Sequence, residues 1–231
     1  MKFQGRYKFV KDIIKDVEAS GLSVELVNDE YVWCDPDDHT LASRSCGWFD
    51  PDDERCAIQV ATKRSPEEWL GTLIHEYSHF QQWKENPDMS LYESAMGDIE
   101  EWTRFEKELT EERLWECVRV IRADELDAEQ RTVKMLLEWK VCPPERIREY
   151  IQGANAYAIT YNMIAISRHW PDPPAYRVED VWRAMPVHFL EYYDDAHIPY
   201  VKLFYKHCLK IKAPEHKPES PDITEYVGMI T

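Results

Sequence analysis

Glycine is scarce in this chain, 7 of 231 residues. That scarcity argues against Gly-rich phosphate-cradling loops and against many tight turns, and it favours helix. No window approaches 18 consecutive apolar residues, which excludes a membrane-spanning helix. A concentrated basic stretch is also missing. The densest, Lys202 to Lys212, is broken by apolar residues, and 28 Lys plus Arg stand against 44 Asp plus Glu, a formal net charge of -16. Phosphate contacts need clustered Lys and Arg, so no nucleic-acid partner is expected. Met1 to Arg6 lacks the apolar core of a signal peptide. Six cysteines are scattered without a tight framework, the pattern of a reducing compartment, and the expected location is the cytoplasm.

What is present suffices for a packed core: 44% of the residues are apolar and 13% aromatic. Phe9, Val10, Ile13, Ile14 and Val17 lie at helical spacing, with Gly21 placed as a C-cap. Val24–Val27 and Tyr31–Trp33 read as short strands around a turn at Asn28-Asp29-Glu30. Cys46–Phe49 and Cys56–Ala61 flank the turn Asp50-Pro51-Asp52-Asp53, so a small antiparallel or mixed sheet is expected near the N-terminus. Helices follow. Ser65-Pro66-Glu67-Glu68 is a full capping box, and its helix should run to Glu85, before Asn86-Pro87. Ser90 with Glu93 repeats the signal, ahead of a buried face of Ala95, Met96, Ile99, Trp102 and Phe105. Thr110 opens a stretch to Val141, with a break expected near Asp124, and Pro143-Pro144 starts a helix with Ile147, Ile151, Ala154, Ala158, Tyr161 and Ala165 along one stripe. Shorter helices are expected at 178–184 and 196–210. The reading is α+β: one domain over residues 1–212, a helical body after a small sheet, and a Pro-containing tail over 213–231.

The feature that carries chemistry is Leu73-Ile74-His75-Glu76-Tyr77-Ser78-His79-Phe80, an HExxH motif on the best-capped helix. Residues four apart share a helix face, so His75 and His79 can present two imidazole nitrogens to one Zn2+. Glu76 stands beside the first of them. Zinc lowers the pKa of water, and this carboxylate can take the proton and pass it to a leaving amine. A catalytic zinc needs a third protein ligand, and two downstream stretches compete: Asp98-Ile99-Glu100-Glu101 and Asp124-Glu125-Leu126-Asp127-Ala128-Glu129. In the second, Glu125 and Glu129 share one face, so one can bind metal while the other receives the free N–H of a ligand histidine.

The motif with a downstream Glu-x-x-x-Asp/Glu on a separate helix resembles the gluzincin group of zincin metallopeptidases. That resemblance implies a zincin-like fold, Glu125 as the third ligand and Glu129, where many gluzincins have Asp, as support for a ligand histidine. The wider run from Glu125–Glu129 through Tyr150-Ile151 and Ala154-Asn155-Ala156-Tyr157 to Arg168-His169-Trp170 is similar to uncharacterised metallopeptidase-like proteins of bacteriophages, which would put this chain in a host cytoplasm. The similarity covers residues 55 to 186. It also nominates Ile58–Ala61 as the strand whose edge pairs with substrate.

Peptide hydrolysis further needs a donor to the developing oxyanion. Tyr157, Tyr161, Arg168 and His169 are the candidates, and Tyr157 is preferred, although any one tyrosine is more often a core residue. Cys34, His39, Cys46 and Cys56 lack the C-x2-C spacing of a structural zinc site and read as thiols and an ordinary histidine; His188, His197, His207 and His216 show no ligand spacing. The expectation is a zinc-dependent peptidase acting on a peptide or protein. The alternative is a non-catalytic acidic protein that keeps the scaffold and occupies a basic partner.

Overall fold

The computed structural model describes residues 8–33, 44–52, 57–171 and 173–190. The expected helix 196–210, the 213–231 tail, Cys34, His39, Cys56, His197, His207 and His216 lie outside the described residues. Mixed α+β architecture is observed, mostly helical, with a three-stranded sheet and a two-stranded ladder. No helix of the described residues is long and apolar enough to cross a membrane. The chain forms two compact units: one takes residues up to Asp88 and returns for Ala128–Ile147, and the other takes Met89–Asp127 and resumes from Arg148.

In the first unit, helix α1 (Lys8–Ala19) buries Phe9, Val10, Ile13 and Val17, the face its periodicity predicts. It ends where Gly21 takes φ +81°, a left-handed conformation that costs glycine nothing, and its N–H reaches the Glu18 carbonyl. The strands are β1 (Val24–Val27), β2 (Val32–Trp33), β3 (Arg44–Ser45), β4 (Gly47–Phe49) and β5 (Ile58–Ala61). The sheet order is β1-β5-β4, with β5 parallel to β1 and antiparallel to β4; β2 pairs with β3 alone.

This corrects two expectations. β1 and β2 are not hairpin partners: the Val27 carbonyl accepts from Thr62 N–H at 2.8 Å, so the chain beyond β5 takes the bonds a hairpin would have used. Nor does β5 supply a free edge. All four of its residues are buried and it is bonded on both sides, as a near-continuous apolar strand should be; among the described residues the outer strands are β1 and β4. Helix α2 (Pro66–Glu85) begins with the expected capping box, Ser65 and Glu68 bonding reciprocally, and ends at Asn86. Five consecutive residues, Glu76 to Phe80, are buried, while His75 before them is partly exposed.

The second unit holds helix α3 (Ser90–Thr103) and the first part of α4 (Glu111–Glu138). It also holds most of α5 (Pro144–Ser167), a 3-10 turn (Ala175–Arg177) and the short α6 (Glu179–Trp182). Ala95, Ile99 and Trp102 pack with Leu114, Cys117, Val118, Ile121, Tyr161, Ile164 and Ala165. Three details differ from expectation. Ser90 is the first helical residue rather than the cap, which is Met89 and makes no side-chain bond. Phe105 is 53% exposed, because α3 stops two residues earlier and Phe105 itself takes φ 62°. And α4 runs unbroken through Asp124: 28 residues with no Pro or Gly to interrupt the ladder.

Candidate metal centre

Within α2, the four-residue spacing brings the Nε2 atoms of His75 and His79 to 3.3 Å from each other. Two nitrogens each 2.0–2.1 Å from a tetrahedral ion are separated by about 3.3–3.4 Å, so the pair already has the bite that zinc requires. The two rings differ in what stands behind them at Nδ1. His79 Nδ1 lies 2.9 Å from Gln82 Oε1, and because an amide oxygen only accepts, Nδ1 carries the hydrogen and Nε2 keeps its lone pair. His75 Nδ1 faces Glu129 Oε1 at 3.5 Å.

Burial disfavours charge on the His75 imidazole, but the Glu129 carboxylate beside it outweighs burial and, with Glu76, pushes it up to about 9 despite neighbouring His79. Metal binding at His75 competes with protons, because only an unprotonated nitrogen can serve as a ligand. Glu129 is 8% exposed, and its Oε2 has no hydrogen-bond partner among the described residues. A buried carboxylate in that state is matched to a positively charged neighbour.

Glu76 is also buried, and its side chain lies directly against strand β4. A Cβ added at Gly47 would stand 2.9 Å from Glu76 Oε1 and 2.4 Å from Thr72 Cγ2. Phe49, two residues on and so on the same face of β4, meets Phe80 edge-on at 6.3 Å between ring centroids. The strand thus lies against one side of α2 through an empty position over Glu76 and a filled one over Phe80. On another side, Tyr77 donates to Asp16 Oδ2 at 2.8 Å, and Asp16 Oδ1 pairs with Lys84.

Glu125, one turn before Glu129 on α4, is 4% exposed. Its Oε1 accepts from the hydroxyls of Tyr157 (3.1 Å) and Tyr161 (3.2 Å), which lie 2.9 Å apart. Burial first, and then the charge of Glu125, hold both phenols well above their ordinary pKa, so they stay donors throughout the physiological range. His75, His79 and Glu125 each offer one ligand atom, and these lie within 4.8 Å of one another. They form a buried group able to bind a metal ion. Of the two stretches that compete in the sequence, Glu125 is the one in this group. Glu100 and Glu101 instead form surface ion pairs with Arg104 and Lys107.

Arg168 and His169 are placed elsewhere. Arg168 donates to the carbonyls of Trp102 and Lys107 and lies over the rings of Trp102 and Phe105; His169 packs against Phe105. Sequence reasoning misses Gln82 and Gly47. Gln82 stands three residues beyond His79, on the face that helix spacing makes reachable. Gly47, a rare glycine inside a strand, signals close backbone approach. No protein-family model, curated protein or solved structure matches this chain.

Proposed function

We propose that the protein is a zinc-dependent hydrolase of peptide bonds, built on a zincin-like arrangement in which His75, His79 and Glu125 hold the metal. The observation that carries this reading is the 3.3 Å separation of the two Nε2 atoms, with Gln82 Oε1 at His79 Nδ1 and the Glu129 carboxylate facing His75 Nδ1 at 3.5 Å. Among the described residues the group has three protein members, the count of a catalytic zinc site rather than of a closed structural one.

Bound zinc supplies Lewis acidity, polarising a carbonyl and easing the ionisation of water. The chain does the rest. Glu76, held beside the histidines by the close approach of β4, accepts the proton of the attacking water and returns it to the departing amine. Glu129 orients His75 and Gln82 orients His79. Tyr161 keeps its bond to the Glu125 carboxylate, while Tyr157, the less buried of the two, turns its one hydroxyl hydrogen from Glu125 to the charge developing on the substrate carbonyl. Strand β4, next to Glu76 and outermost in the sheet among the described residues, suits main-chain pairing with an extended peptide.

Elemental analysis of purified protein should find close to one zinc per chain. A protein that takes up no zinc overturns the reading. With labelled casein as a general substrate, Glu76→Gln should keep the zinc and lose activity by about 10²–10⁴-fold, the usual contribution of a general base. Undiminished cleavage by that variant would remove Glu76 from the mechanism.

A further inference from the structure

Resting on that reading of the site, we infer that Gln82 is a positioning residue that selects the tautomer of His79 and so decides whether its Nε2 can face a metal. The two histidines are supported unequally. The acceptor behind His75 is the carboxylate of Glu129, whereas the acceptor behind His79 is a neutral amide oxygen 2.9 Å from Nδ1, supplied by the same helix. An isolated neutral imidazole distributes its proton between both nitrogens, and whichever nitrogen carries it is lost as a ligand. Gln82 holds the proton on Nδ1. It lies three residues from His79 on α2, so its reach follows from helix geometry alone and needs no other element in place. The support of His79 therefore comes from its own helix, while that of His75 comes from α4.

Chemically, the neutral acceptor leaves His79 the less electron-rich of the two ligands, because an anionic acceptor raises imidazole basicity and an amide does so less. Two opposite substitutions follow. Gln82→Leu removes the acceptor and should weaken zinc binding by about 10–100-fold, the range found for groups that support ligand histidines. Gln82→Glu keeps an acceptor and adds charge, so it should bind zinc more tightly than the parent. A merely structural role for Gln82 would not move affinity in both directions.

Two measurements on the full chain decide the matter. Nitrogen-15 NMR of the imidazoles in metal-free protein should show His79 protonated at Nδ1 in the parent and in Gln82→Glu, with that preference lost in Gln82→Leu. Zinc affinity by chelator competition should follow the order Glu, Gln, Leu at position 82. Finding His79 protonated at Nε2 in the parent, or equal zinc affinity in Gln82→Leu, overturns the role of Gln82. Finding the expected tautomers without zinc uptake leaves Gln82 as the residue that sets His79 and overturns the metalloenzyme reading instead.

Discussion

The hydroxyls of Ser78 and Thr132, both fully buried, lie 3.0 Å apart where α2 meets the later part of α4. Each also has the carbonyl four residues before it at 2.8 Å, Ile74 for Ser78 and Ala128 for Thr132. Two hydrogens serve three contacts, so one hydroxyl donates across while the other bonds back to its own helix. The bond lies one turn from His75 on α2 and one turn from Glu129 on α4.

Ser78→Ala and Thr132→Val should each destabilise the protein by about 1 kcal/mol, the net worth of one buried hydrogen bond. Because they share that bond, the double variant should lose less than the sum. Urea unfolding of the three variants checks this; strict additivity would mean the two hydroxyls do not act as a pair.

Gly47 bears a steric prediction. An added methyl there overlaps Thr72 Cγ2 and crowds Glu76. Gly47→Ala should cost about 1–3 kcal/mol, as overpacking does. Adding Thr72→Ala removes the nearest obstacle and should recover part of the loss while Glu76 stays crowded. Unfolding midpoints of the single and double variants give the answer, and a double variant no more stable than Gly47→Ala would show that Thr72 is not the obstacle.

Acid should destabilise the second unit through Asp98. Its carboxylate accepts from Lys107 and, at 2.7 Å, from Arg113, and against the opposing effect of burial these hold it below the ordinary carboxylate range. A carboxylate whose folded pKa is lowered contributes stability above its unfolded pKa, about 3.9, and that stability is lost as pH falls through the folded value. Asp98→Asn should be less stable than the parent near neutrality, and the gap should shrink as pH falls below the unfolded value of about 3.9 and through the lower folded one. Denaturation midpoints of metal-free protein measured across that range test it; a gap that persists in acid would assign the effect to packing.

What the sequence made legible is what local rules govern. The start of α2 rests on Ser65, Pro66 and Glu68 within one turn, and the pairing of His75 with His79 on helix pitch. The partner of β1 was beyond such rules. Asn28-Asp29-Glu30 has the composition of a hairpin turn, yet Val24 pairs with Ile58. That choice depends on which strand is apolar enough to lie in the middle, a property of β5 rather than of the turn. Gly21 announced the end of α1. Phe105 and Lys140 end α3 and α4 with the same backbone hand and no glycine to mark them. Likewise the pattern could propose Glu125 and Glu100 alike, because only packing distinguishes a carboxylate bonded to two buried tyrosine hydroxyls from one beside Arg104 at the surface.

Two of these glycine-free helix ends bear on how the chain can change over generations. Phe105 and Arg168 both hold positive φ, 62° and 60°, and the guanidinium of Arg168 lies 4.2 Å from the centre of the Phe105 ring. A glycine at either position would relieve a backbone cost of about 1–2 kcal/mol, and would also remove the contact that supports the other. The most obvious improvement at each site is thus blocked by its neighbour. Replacements at residues 105 and 168 are expected to be non-additive, since the double change loses their shared contact only once.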